Sequence, residues 1–186
     1  MPQTKANALS LIASAVVGGL IVAGIGAWYI GSSTEKNPAI EPRQTPIIAS
    51  GESFVCTPTR VWDGDGPIWC SEGPRVRLAG IAARELRQNG DNIVDAGCNE
   101  GHPCPSVDGV QSRDHLISLI GVPIGDAPTG HVLVRGTPLR CQSAGAARGS
   151  RTAAWCSNAR GDLSAAMIRD GYALEWRRYA RRRRRP

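Results

Sequence analysis

Apolar and polar positions follow three patterns along this chain, and the first is an unbroken apolar run. No charged residue falls between Ala8 and Ile30, where the chain reads LSLIASAVVGGLIVAGIGAWYI. At about 1.5 Å of rise per residue such a run crosses a bilayer core of roughly 30 Å, so it predicts a transmembrane helix over residues 8–30. Its rival, a cleaved signal peptide, has a shorter apolar stretch of about 7 to 15 residues and a small-x-small cleavage site, which is not evident here. Trp28 and Tyr29 end the run, where amphipathic rings settle at the headgroup layer. The second pattern is polar and aperiodic: GSSTEKNPAIEPRQTPIIAS, residues 31–50, carries Pro38, Pro42 and Pro46 and reads as an extended tether.

The third pattern is the short-period alternation of a folded body, residues 51–180. SFVCTPTRVW and GPIWC are β-prone runs on either side of Asp63-Gly64-Asp65-Gly66, which predicts a hairpin. In PRVRLAGI, Val76, Leu78 and Gly80 alternate with Arg75, Arg77 and Ala79, as in a half-buried strand. SVDGVQSRDHLISLIG places Val110, His115 or Leu116, and Leu119 at helical spacing and stops at Gly121. PLRCQ and RTAAWC form a second predicted hairpin; counted outward from a turn between Arg148 and Gly149, Cys141 faces Cys156 and can bridge to it. LSAAMIRDG is a short helix closed by Gly171. Strands followed by interspersed helices define an α+β or small-barrel class.

Charge changes this picture only at the C-terminus. The net charge of +6 comes from the end: seven of the 22 lysines and arginines lie in residues 177–186, and without them the basic residues fall one short of the 16 acidic ones. The tail EWRRYARRRRRP sets Arg177, Arg178, Arg181 and Arg182 around Trp176 and Tyr179, a composition suited to phosphate and base contact with nucleic acid or to an anionic lipid surface. The positive N-terminus and Lys5, against the cancelling Glu35 and Lys36, place the N-terminus in the cytoplasm. An even number of cysteines, six, predicts disulfides, which agrees with a body that is periplasmic or extracellular.

The order of the pieces, VWDGDG, RVRLAGIAARE, a strand pair with a Gly/Ser-Arg and LSAAMIRDGYA, resembles the thermonuclease family of staphylococcal-nuclease-like domains over about residues 53–180. The resemblance implies a five-stranded OB-fold-type barrel packed with helices, and calcium-dependent hydrolysis of DNA and RNA phosphodiesters. A phosphodiester is anionic and gains charge on attack, so cationic donors, a divalent ion and a carboxylate that orders water are the side-chain types the reaction needs. By position Asp65 matches the family's first calcium ligand, Arg77 its first phosphate-binding arginine, Glu85 its general base and Arg151 its second arginine, with Arg148 as runner-up. Read singly, Asp-Gly-Asp-Gly is a turn, Arg77 a solvated strand residue and Glu85 part of a surface charge cluster with Arg84 and Arg87. Their joint spacing carries the assignment.

Departures from the family pattern bear on function. Ala82 stands where the second calcium-binding aspartate belongs, followed by Ala83 and Arg84 in place of Thr and Pro; a calcium ion prefers about six to eight oxygen ligands and would be held weakly. The nucleotide-contacting tyrosine falls on Gly149, the aspartate of that motif on Ala147, and one of two C-terminal tyrosines on Arg177, leaving Tyr179. Cys98 and Cys104 enclose CNEGHPC, which resembles a cysteine-bounded loop of some bacterial members; Cys56 and Cys70 then pair by elimination. A zinc site from Cys98, His102 and Cys104 is the alternative, at a spacing that fits no common finger or ribbon. His115 and His131 have no partner pattern and read as structural or exposed.

Two functions follow as expectations: a membrane-anchored nuclease, impaired by Ala82, or a catalytically inactive tethered module that binds nucleic acid, anionic lipid or a protein partner. Residues 8–30 are expected to stay in the mature protein. Mass spectrometry of the membrane fraction should recover the N-terminal peptide, and a mature chain starting near Trp28 or later would contradict the anchor.

Overall fold

The structure, a computed structural model, describes residues 45–180. The expected span 8–30, most of the tether and residues 181–186 lie outside the described residues, among which no helix is long and apolar enough to cross a membrane. The body is α+β and mostly β, with its main sheet curled into a barrel-like form. Its first strand is bent: β1 (Ser53–Cys56) and β2 (Pro58–Val61) are separated by Thr57 alone. Proline has no N–H for a ladder, which suits Pro58 to the bend, and the Thr57 N–H and hydroxyl both donate to the Glu72 carboxylate at 2.8 and 2.7 Å.

From this bend the pairing runs in two directions. β2 pairs antiparallel with β3 (Ile68–Cys70) in the expected hairpin, Val61 opposite Ile68, and β3 pairs with β4 (Arg75–Leu78). The short β5 (Ile81–Ala82) and the hairpin β6 (Glu85–Asn89) and β7 (Asn92–Gly97) lead into α1 (Gly109–Ile120). β8 (Gly121–Asp126) and β9 (Val132–Gly136) extend the sheet beside β2. β10 (Leu139–Ala147) and β11 (Arg151–Asn158) form the second expected hairpin, with Cys141 opposite Cys156; β10 pairs with β1 and β11 runs parallel to β4. β12 (Gly161–Asp162), α2 (Leu163–Arg169), β13 (Leu174–Glu175) and α3 (Arg177–Ala180) complete the order. The end of the predicted tether is tied to this sheet, since Ile48 N–H donates to Thr152 Oγ1 and Ser143 Oγ donates to the Ile48 carbonyl.

Val61, Ile68, Val76, Leu78, Leu116, Ile120, Leu139 and Met167 have no exposed surface and form one core. Fully burying such a side chain stabilises by about 1.5–3 kcal/mol. Asp108 and Asp162 cap α1 and α2 by accepting from Val110 N–H and Ala165 N–H. The buried stripe of α1 includes Leu116 of the expected positions, with Leu119 packed against the core, and adds Ser112, Arg113, Ile117 and Ile120, whereas His115 stacks on Tyr172 at 3.9 Å and bonds Asp170. The packing partner decides, because the helix leans on both the core and α2. Bridges Cys56–Cys70, Cys98–Cys104 and Cys141–Cys156 close the set, and this excludes the zinc alternative. In chain-entropy terms the two longer loops each contribute about 3 kcal/mol.

The β6–β7 hairpin is fastened by an ion pair. Arg84 donates to both carboxylate oxygens of Asp95, at 2.6 and 3.1 Å, and Asp95 also accepts from the Gly97 and Gly109 N–H groups. The Arg84 bond, chiefly, holds the Asp95 carboxyl down to about 2. A folded-state value below the unfolded one stabilises above pH ~4, and the gain is lost as pH falls toward 2. Asp95→Asn is therefore expected to cost roughly 1 kcal/mol at neutral pH, discounted for solvent screening, and urea titrations should show the deficit shrinking between pH 4 and pH 2.

Candidate functional site

The Asp63–Gly66 turn brings two carboxylates into the interior. Gly66 N–H closes the turn on the Asp63 carbonyl, and Asp65 N–H donates to Asp63 Oδ1 at 3.3 Å. Gly64 is required by close approach, since a Cβ there would lie 2.6 Å from the Ser112 Cβ of α1 and 2.9 Å from that of Ala83. The turn is pressed under the helix, leaving Asp63 2% and Asp65 4% exposed.

Asp65 is satisfied on three sides. Its Oδ2 accepts from Arg77 Nη2 at 2.8 Å and from Ala83 N–H at 3.1 Å, and its carbonyl accepts from Leu78 N–H. Arg77 lies on the outward-alternating side of β4, and its Nη1 donates to the carbonyls of Leu78 and Ile81. Burial raises the Asp65 carboxyl and Arg77 opposes that rise. Asp63 is pushed well above the carboxylate range by burial, then by Asp65 and Glu85. Sequence reasoning passed over Asp63 because an acid at the first position of a turn is explained by the turn.

Arg77, Glu85 and Arg151 line one cleft of about 660 Å³, together with Arg148, Asn99, Glu100, His102 and Trp176. These residues come from separate elements: the end of β4, the start of β6, the β10–β11 turn, the Cys98–Cys104 loop and the segment after β13. The expected site residues of the body are thus brought together, with Asp65 behind Arg77. Arg151 Nε donates to the Arg148 carbonyl at 2.6 Å, so both arginines stand at one rim. Glu85 Oε1 accepts from Asn99 Nδ2 at 2.7 Å. The Trp176 backbone N–H donates to the Gly80 carbonyl, and its ring lies 5.3 Å from the Arg77 guanidinium carbon and 4.1 Å from the His102 ring. Gly80 takes φ +76° beneath Trp155, where a Cβ would meet the indole at 2.2 Å.

Asn99, His102 and Trp176 were missed as site residues. The first two were absorbed in a cysteine-bounded loop and Trp176 in the basic tail. Of that tail, Arg177 is 87% exposed and pairs loosely with Glu175 at 3.5 Å, and Arg178 belongs to α3. The side chain of Tyr179 and residues Arg181 and Arg182 lie outside the described residues. His131 packs against Trp62 and Trp69, a structural role.

The donor set does not fit a calcium ion. Asp65 Oδ2 is engaged by Arg77 and the Ala83 N–H, Ala82 is fully buried in β5 and brings no oxygen, and among the described residues no three His, Cys, Asp or Glu side chains form a group able to hold a metal. Arg84, which stands where the family has Pro, is paired with Asp95.

The chain matches no protein-family model, and no curated protein matches it significantly in sequence.

Asp63 offers a test of the buried carboxylates. A carboxyl raised in the folded state destabilises the fold as pH climbs above its unfolded value of about 4. The near-isosteric Asp63→Asn should match the wild type in chemical denaturation near pH 4 and become the more stable of the two toward pH 7.5; equal stability across that range would mean that Asp63 titrates normally.

Proposed function

We propose that this protein is a membrane-anchored, thermonuclease-like protein that binds the phosphodiester backbone of nucleic acid in the Arg77–Glu85–Arg151 cleft and hydrolyses it weakly. The observation that carries this reading is the convergence on one cleft of three residues taken from three elements. The finer fold assignment belongs to the same proposal: because β1 and β2 are one bent strand, the pairings β2–β3–β4–β11–β10–β1 return to their starting segment, as a five-stranded OB-type barrel requires.

In this reading Arg151, whose Nε alone is used by the Arg148 carbonyl, offers its terminal nitrogens to the phosphate oxygens. Arg77 is shared with Asp65, so a phosphate must compete for it. Glu85 is fixed by Asn99 through one oxygen, and the other accepts the proton of the attacking water. No step runs through calcium, and low turnover follows from its loss. A purely binding module is the second reading, favoured by the engagement of the Asp65 carboxylate and the absence of one at Ala82.

The test is cleavage of an end-labelled single-stranded oligonucleotide by the full chain, with and without calcium, alongside Glu85→Ala and Arg151→Ala. Slow cleavage is expected in both conditions. Glu85→Ala should reduce it by about 10²-fold with binding retained, the order contributed by one positioned base, while Arg151→Ala weakens binding. Binding without any Glu85-dependent cleavage would leave the module reading. Absence of binding would remove both.

A further inference from the structure

We infer that the outward face of strands β8, β9, β2, β3 and β4 docks the body on an anionic lipid surface. This inference rests on the membrane-anchored part of the proposed function and adds which side of the body meets the bilayer. On these strands Val61, Ile68, Val76, Val132 and Val134 are buried in the core, so the residues that alternate with them share the opposite face. The ladders set those residues in a row: Val122 lies opposite Arg135, Leu133 opposite Arg60, Arg60 opposite Trp69 and Trp69 opposite Arg75. Neighbouring strands stand about 4.8 Å apart, so the row crosses roughly 19 Å. Side-chain contacts agree with the register. The Arg60 and Arg75 guanidinium carbons lie 5.5 and 6.0 Å from the Trp69 ring centroid, and His131, just before β9, meets the same ring edge-on.

The charge and composition of this face complement an anionic interface. Among the described residues no carboxylate pairs with Arg60, Arg75 or Arg135, and the one acid in these five strands is Asp126, at the end of β8. β8 ends the sheet, and on it Val122 and Ile124 are 54% and 55% exposed. Arginine suits lipid phosphate, tryptophan the headgroup layer and exposed aliphatic side chains the acyl boundary. Nucleic acid would use the same arginines but would leave the aliphatic edge in water, which favours lipid as the occupant. The tether enters beside this face. Pro46 lies against the β3–β4 turn, 3.4 Å from where a Cβ on Gly73 would stand, and Ile47 next to it is 49% exposed. With the anchor in a bilayer, residues 31–44 reach at most about 50 Å when extended, so the face meets the lipid surface at a high effective concentration.

The experiment reconstitutes the full chain in phosphatidylcholine vesicles, with and without phosphatidylglycerol, and follows amide hydrogen exchange by mass spectrometry after vesicle flotation. Flotation with the neutral vesicles tests the anchor. Phosphatidylglycerol should then slow exchange severalfold over residues 122–136, and added salt should reverse the slowing. A basic side chain near an anionic surface raises partitioning about fivefold, so Arg60→Gln with Arg135→Gln should lower the docked-to-free ratio by about tenfold or more. That variant should lose the slowing and still float. Val122→Ser with Ile124→Ser, at two exposed positions, should lose it too while keeping the circular dichroism of wild type. Flotation without any phosphatidylglycerol-dependent slowing would overturn the docking and leave the anchor standing. Slowing that survives both substituted pairs would assign the attraction to the arginine-rich tail and overturn it as well. If an oligothymidylate slows the same exchange on neutral vesicles and phosphatidylglycerol does not, the face is a nucleic-acid surface and the lipid docking is wrong. A chain that does not float with neutral vesicles would overturn the anchored reading and this inference together.

Discussion

The carboxylate of Asp65 is withdrawn from water, and that cost shapes everything around it. An isolated buried carboxylate costs several kcal/mol unless paired and hydrogen-bonded. Here the Arg77 guanidinium and the Ala83 N–H supply the compensation. The arrangement ties together three pieces of chain that the core alone would leave independent: the Asp63–Gly66 turn, the end of β4 and the start of the segment that carries Glu85. Removing either partner would leave the other charge buried and unmatched, so the pair constrains geometry more than it adds net stability. Arg77 is thereby aimed along the sheet edge toward Trp176, and Glu85 begins its strand three residues after Ala82. The same pair, with the Ala83 N–H, occupies one of the two Asp65 carboxylate oxygens, Oδ2.

Around this centre the body relies on covalent closure to hold a small core. Cys56–Cys70 fastens the bend of the first strand to β3, and Cys141–Cys156 locks the β10–β11 register. The third bridge, Cys98–Cys104, fixes no barrel strand. It shapes a loop whose inner contacts are Glu85 and Trp176, both cleft residues. Two bridges thus reduce the entropy of the scaffold's unfolded chain, while the third orders side chains that line the cleft.

Legibility in the sequence followed the strength of local chemistry. The β2–β3 and β10–β11 hairpins, β4, α1 and α2 could be read because turn residues, alternation and caps agreed at those places, and Cys141 opposite Cys156 followed from the register. The β6–β7 hairpin was hidden, since ELRQN and NIVDAG are polar and are held by Arg84–Asp95 rather than by an apolar face. β8 was hidden too: Val122 and Ile124 are more than half exposed and Pro123 weakens any strand pattern. Arg77, Glu85 and Arg151 were legible only by joint spacing, since each alone is an ordinary surface residue. Asp63, Asn99, His102 and Trp176 were not, because their roles come from contacts across the sequence, such as a histidine ring from one loop on a tryptophan more than seventy residues later.

The internal ion pairs also set the charge balance in the cleft. Asp65 is matched by Arg77 and Arg84 by Asp95, so neither pair presents a full charge to a ligand. What remains among the charged residues of the lining is Arg148 and Arg151 with Glu85 and Glu100. Such a cleft has no strong net field, and it cannot draw a polyanion by steering alone. The excess positive charge lies instead at the arginine-rich end of the chain, whose basic residues account for the whole of the +6 net charge. Under the proposed function the tail supplies salt-dependent capture through phosphate contacts, and the cleft, nearly neutral, adds short-range contacts from the arginines on its lining.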